Sequence, residues 1–199
     1  MTKVTAAITI SVDGYITGPN DGPGNGLGDG FERLHYWVFG GPWTYQGERD
    51  GDGPQGEDAA YLDDVTARAG AVVIGRNMYE AADHWGDKNP FGAPVFVVTH
   101  RPEDEHDTAE FTFVGGFDEA VERARAIAGG KDVSIGGGAD VIRQALDSGI
   151  VDELHIVVAP VILGGGKRLF DGFTTSVDLE NRRVRQSRWA TFIEFAVRR

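Results

Sequence analysis

Apolar and polar positions change period repeatedly along this chain, and each change marks an element. β-branched residues crowd Val4 to Ser11 ahead of an Asp13-Gly14 turn, which predicts a first strand and a short extended resumption at Tyr15-Ile16. The passage PNDGPGNGLGDG holds too much glycine for regular structure and reads as a surface loop. Beyond it, Phe31, Leu34, Trp37 and Val38 recur at helical spacing, and Tyr45 to Gln55 is again polar and glycine-rich, a lid or an insertion. Asp58 to Ala69 predicts a helix with Tyr61, Leu62, Val65 and Ala69 on its apolar side and Gly70 at its end, leaving Asp63 and Asp64 on its surface.

From there strand and helix patterns alternate. AVVIG reads as a buried strand, followed by a helix through Met78, Tyr79 and Ala82; Pro94 to Thr99 is a further strand, and RPEDEHDTAE a solvated connection. Phe111 to Val114, Val133 to Ile135 and Leu154 to Ala159 read as strands, with helices over Phe117 to Ala128 and Ala139 to Asp147 between them. Such an order predicts an α/β fold of crossover units around a mainly parallel sheet flanked by helices. Val177 to Val184 and Trp189 to Val197, joined by a polar turn at Gln186-Ser187, add a C-terminal antiparallel strand pair, so the sheet is expected to be mixed.

Composition narrows the classes. A chain of 199 residues with 41% hydrophobic residues suits one domain with a substantial core, spanning 1–199. With no cysteine, disulfide frameworks, thiol catalysis and cysteine-ligated metal are excluded. A formal charge of -12 argues against nucleic acid as a partner. Met1 leads straight into a short alternating segment and no long apolar run follows, so no membrane association and a cytoplasmic location are expected.

Two glycine triplets stand out. In VSIGGGADVIRQAL, Gly136, Gly137 and Gly138 fall between a strand and a helix, where free N–H groups and the helix dipole favour an anion. A tight turn without a ligand explains the same letters equally well, since GGGADV is neither a P-loop nor a dinucleotide fingerprint.

Nearly the whole chain resembles the dihydrofolate-reductase-like superfamily, and within it the riboflavin-biosynthetic reductase family (the RibD C-terminal domain) as a stand-alone protein. The pieces are ITISVDGYITG, VVIGRNMYE, VVTHRP, IGGGADVIRQAL and VDELHIVVAPVILGGGKRLF. The resemblance implies a dihydrofolate-reductase-like sheet and NADPH as cofactor. It places Gly75 and Arg76 beside the nucleotide, Thr99 and Arg101 around its 2′-phosphate, and Gly136 to Gly138 with Ala139 under its pyrophosphate. Met78 stands where classical dihydrofolate reductases often carry a hydroxyl, and Asp140 suits a phosphate site only if it points outward or caps the helix. Ala7 would wall the nicotinamide, with Asp13 to Gly18 approaching the ribose and amide; Asp13 is also explained as a turn residue beside Gly14.

On the substrate side the resemblance makes Glu32 the nearest carboxylate and His35 a second proton-transfer candidate, with the long glycine-rich insertion shifting the correspondence. The aromatic residues of the Phe31 to Trp43 region, Phe31 and Trp37 among them, are candidates to clamp a planar substrate, or else they seal the core. By the same resemblance the second triplet, centred on Gly165, is expected to serve as a structural and substrate-side turn, and Lys167 and Arg168 to attract a phosphorylated sugar-like group or form a local salt bridge. No metal site is expected. The function implied is an NADPH-dependent reductase acting on a small heterocyclic or carbonyl-like molecule, pyrimidine- or pterin-like, in a homodimer; the alternative is a nonenzymatic nucleotide- or flavin-binding protein that kept the cradle.

Overall fold

The fold was taken from a computed structural model, which describes residues 2–45, 47, 52–101 and 108–198. The solvated connection expected after Arg101 falls largely on 102–107, and the passage read as a lid or insertion on 46 and 48–51; those stretches lie outside the described residues.

Strands β1 (Val4–Ser11), β3 (Ala69–Gly75), β4 (Val95–Val98), β5 (Phe111–Val114), β6 (Asp132–Gly137), β7 (Glu153–Ala159), β9 (Leu179–Gln186) and β10 (Thr191–Val197) form one sheet in the order β5-β4-β3-β6-β1-β7-β10-β9. The pairs from β5 to β7 are all parallel, and β10 runs antiparallel to both its neighbours. β2 (Tyr15–Thr17) pairs separately with β8 (Lys167–Arg168), which brings the second triplet against the end of the first strand. The sheet is therefore mixed and mainly parallel, as the alternating pattern implies.

Both faces of the central strands are buried, so their residues divide by parity. Ala71 and Val73 of β3 face α4 (Phe117–Ile127) and α5 (Ala139–Asp147), in a core with Ala120, Ala124, Ile142 and Leu154. Val72 and Ile74 face the other way, against Tyr79 of α3 (Arg76–Ala81) and Phe111. On that same side of the sheet, α2 (Glu57–Arg68) brings Tyr61 against Val157 and Phe192, with Trp37 from the short α1 (Tyr36–Phe39).

Two boundaries differ from the sequence expectation. β6 continues through Gly136 and Gly137, because Gly137 still registers with Ile74 of β3 after a bulge. The helical spacing from Phe31 to Val38 is divided between a 3-10 turn (Glu32–His35) and α1, which stops where Gly40 adopts φ 78°.

Candidate active site

The carboxyl ends of β3, β4 and β6 open into one cavity of about 1450 Å³, which runs along the sheet to the inner side of α2. Open parallel sheets favour such clefts because loops diverge at the strand ends. At one end stands the first triplet. Gly136 is packed tightly, since a β-carbon there would lie 3.3 Å from Ile74 and 3.5 Å from Val72. Gly137 holds φ 117°, and a β-carbon on it would lie 3.3 Å from the Met78 sulfur. Gly138 differs: nothing lies within 4 Å of its β-carbon position, so its backbone is open to the cavity.

Gly138 also precedes α5, and no side chain caps that helix start. Its first N–H groups thus face a space that an anion can enter. Asp140 does not obstruct it, because the carboxylate is exposed and paired with Arg143 one turn on. The start of α3 adjoins the same turn: a β-carbon on Gly75 would lie 3.6 Å from the Gly138 nitrogen.

The next element contributes cations. Arg76 donates through Nε to Glu80 at 2.6 Å and through Nη1 to the Thr99 hydroxyl at 3.2 Å. Thr99, only 3% exposed, accepts at the same oxygen from the Arg101 backbone N–H at 3.2 Å. One buried hydroxyl therefore locks together the ends of β3 and β4 and sets both arginines on the cavity wall.

At the other end the wall is aromatic. Trp37, Phe39, Trp43 and Tyr45 line it together with Leu62 and Val65 of α2. Trp37 Nε1 donates to the buried Thr9 hydroxyl at 3.2 Å, which fixes the indole against β1. His35 lies deep beneath this wall, keeping a strip of surface open to the cavity, and desolvation pushes its imidazole down to about 4. It is neutral at pH 7.

Of the residues singled out by sequence, Ala7, His35, Trp37, Gly75, Arg76, Thr99, Arg101, Gly136, Gly137, Gly138, Ala139 and Lys167 line this cavity. Asp13, Gly18, Phe31, Glu32 and Gly165 do not. Asp13 braces the fold: its carboxylate accepts from the Ser11 hydroxyl at 2.7 Å and from the backbone of Leu163 and Gly164. Desolvation pushes that carboxyl up, and these bonds outweigh it, holding the group at about 2. Phe31 is core, its ring lying 2.4 Å from where a Gly18 β-carbon would be. Glu32 contributes its backbone carbonyl, which accepts from Trp43 Nε1 at 3.1 Å. Sequence reasoning passed over Thr9, Tyr45 and the α2 side chains as cavity wall; the spacing of Tyr61, Leu62 and Val65 was the available signal, but it reads identically for a helix packed on a core.

A family model for the RibD C-terminal domain matches residues 2–194. The chain belongs to the RibD C-terminal domain family. Two proteins of Bacillus subtilis (strain 168) are similar to this RibD C-terminal domain: YwjB is 25% identical over 139 residues, which are 70% of this chain and 77% of YwjB. YyaP is 39% identical over 51 residues, covering 26% of this chain and 27% of YyaP. Among solved structures, a candidate riboflavin biosynthesis protein from Shewanella sp. PV-4 superposes with TM-score 0.70 at 20% identity and full coverage of both chains. A pyrimidine reductase-like protein from Corynebacterium diphtheriae gives 0.61 at 17%, over 100% of this chain and 92% of its own. Dihydrofolate reductase from Enterococcus faecalis, complexed with NADP(H), gives 0.61 at 14%, over 98% and 96%. At these identities the shared property is the dihydrofolate-reductase-like fold.

Proposed function

We propose that this RibD C-terminal domain is an NADPH-dependent reductase of a small planar heterocyclic or carbonyl-like substrate. One observation carries the reading: the open Gly138 at the uncapped start of α5 and the Arg76–Thr99–Arg101 cluster meet in the cavity that continues to the aromatic wall. The same fold binds NADP(H) in the Enterococcus enzyme. When bound, the nicotinamide supplies hydride. Gly136 to Gly138 and Ala139 would take the pyrophosphate, Arg76 and Arg101 the 2′-phosphate by charge-assisted bonds, and Ala7 would wall the nicotinamide. The aromatic wall, including Trp37, would position the acceptor and exclude water. His35, which faces the cavity and is uncharged near neutral pH, would orient the water that delivers the proton. The reading takes the chain as one domain working as a cytoplasmic homodimer; no helix among the described residues is long and apolar enough to cross a membrane.

Titration of the folded protein with NADPH tests this directly, and absence of measurable binding overturns it. Arg101→Ala is expected to weaken NADPH by about 10- to 100-fold, the scale of a charge-assisted phosphate contact, and NADH by less than about threefold. Equal losses would remove Arg101 from the 2′-phosphate.

A further inference from the structure

The passage PNDGPGNGLGDG, whose glycines read as a surface loop, folds back on itself. Gly18 N–H donates to the Leu27 carbonyl at 2.6 Å and Asp29 N–H to the Pro19 carbonyl at 2.9 Å, which ties the two limbs of the loop together. Asn25 Nδ2 donates across the turn to the Asn20 carbonyl at 3.1 Å and to the Asp29 carboxylate at 2.8 Å. Leu27 is 8% exposed and packs in one cluster with Phe31, Leu34 and Trp43. The loop thus has closing hydrogen bonds and a small core of its own, the features that oppose local opening.

Three contacts fix this loop in place across the cavity. A β-carbon on Gly26 would lie 2.4 Å from the Ala81 carbonyl oxygen of α3, so loop and helix touch backbone to backbone. Gly26 lies outside the left-handed region, and its glycine is required by that contact rather than by its own φ. β6 stands between β1 and β3 in the sheet, so a contact from the loop after β1 and β2 to the helix after β3 passes across β6, the strand that leads into the first triplet. Gly26, Leu27, Ala81 and Gly137 all line the cavity. The second contact is Tyr45, whose hydroxyl accepts from Leu27 N–H at 2.7 Å while its ring meets the buried Trp43 edge to face at 4.8 Å. In the third, Asp21 pairs with Lys167 of β8 at 2.7 Å.

We infer that loop 18–30 is a fixed roof over the cofactor cavity, that Tyr45 is the positioning residue that pins it, and that NADPH enters beneath a loop already closed. The ligand rests on the NADPH reading; the roof goes beyond it by assigning how the site is held before any ligand arrives. A preformed loop spares the ligand the cost of ordering it.

Amide exchange in the ligand-free protein tests the roof without any cofactor. The Gly18 and Asp29 amides are expected to be protected by about 100-fold or more over an unstructured chain, and saturating NADPH should change that by less than about threefold. Stopped-flow mixing with NADPH should show one phase whose rate climbs in proportion to concentration, since no closure follows encounter. Tyr45→Phe removes one oxygen and keeps the ring, so protection at Gly18 and Asp29 should fall by about tenfold and NADPH should dissociate about tenfold faster. Gly26→Ala, which forces the loop off Ala81, should act in the same direction. Both variants should keep the amides of β1 fully protected, which separates loosening of the loop from loss of the fold. Gly18 and Asp29 amides that are unprotected in the free protein and become protected with NADPH, or a rate that levels off at high NADPH, would make the loop a lid and overturn the inference. Unchanged exchange and dissociation in Tyr45→Phe would overturn the pin. Absence of NADPH binding would overturn the cofactor reading alone, and exchange in the free protein would still decide the roof.

Discussion

Gly138 and Gly166 stand in triplets of the same letters, yet their surroundings call for opposite outcomes on substitution. Gly166 holds φ 113°, and a β-carbon on it would lie 2.0 Å from the Thr17 carbonyl oxygen and 2.8 Å from the Gly18 Cα. Both are backbone, so Gly166→Ala must push β2 away from β8 or fail to close the turn; a loss of about 3 kcal/mol is expected in urea unfolding. Gly138 has φ -74° and open space at its β-carbon, so Gly138→Ala should keep wild-type stability within about 0.5 kcal/mol. It should nevertheless weaken NADPH by about tenfold, because a methyl group would occupy the approach to the α5 backbone. Wild-type NADPH affinity in that variant would take the pyrophosphate away from this turn. Sequence showed two triplets and the resemblance separated their roles; which glycine in each is irreplaceable depends on neighbours remote in the chain, Ile74 and Met78 for one and Thr17 for the other.

At the level of elements, α2 is the cavity wall that sequence located but did not assign. Its position depends on Arg185 of β9, one residue past the strand expected over Val177 to Val184 and within the mostly exposed run LENRRVRQ. The Arg185 side chain is only 8% exposed; it donates to Glu194 of β10 at 2.7 Å and to Asp64 of α2 at 3.3 Å, and lies 5.3 Å above the Tyr61 ring. Arg185→Ala would leave the Glu194 carboxylate, 14% exposed, without its cation, and a loss of about 3 kcal/mol is expected. A loss below about 1 kcal/mol in urea unfolding would mean that solvent already screens the pair. β1, α4 and α5 were legible to within a residue, the helices because one buried face dictates the pattern and β1 because its β-branched run stops at the Asp13-Gly14 turn. The last strands were displaced by about two residues, since β9 is set by its ladder to β10 and by ion pairs rather than by apolar alternation. Glu32 illustrates the same limit within the site: only the Trp43 indole, bonded to its carbonyl, reveals how that turn lies, and no local pattern encodes it.

For the molecule as a whole, burial of uncharged histidine and of paired carboxylates implies an acid response in two stages. His35 is held down to about 4 by desolvation, and His155, fully buried on β7, is likewise lowered chiefly by desolvation. The unfolded chain protonates both near 6.5, so it binds more protons than the fold does as pH drops through that value. Stability is therefore greatest above about pH 6.5 and falls toward pH 4, with about 2–3 kcal/mol of the decline due to His35. Glu153 and Asp13 act lower. Desolvation pushes Glu153 up, but its bonds with Lys3 and Arg68 outweigh that and hold it at about 2, where Asp13 also lies. Their contribution is intact above the unfolded carboxylate range and disappears as pH falls from about 4 to 2. Urea unfolding at pH 7.5, 5.5 and 4 should accordingly show a decline that begins before these carboxylates contribute. His35→Gln removes a titrating group while keeping a neutral polar side chain, so its decline over that range should be smaller than wild type by about 2–3 kcal/mol. Parallel profiles for the two proteins would mean that His35 titrates freely in the fold, and the cavity's aromatic end would then have to accommodate a cation.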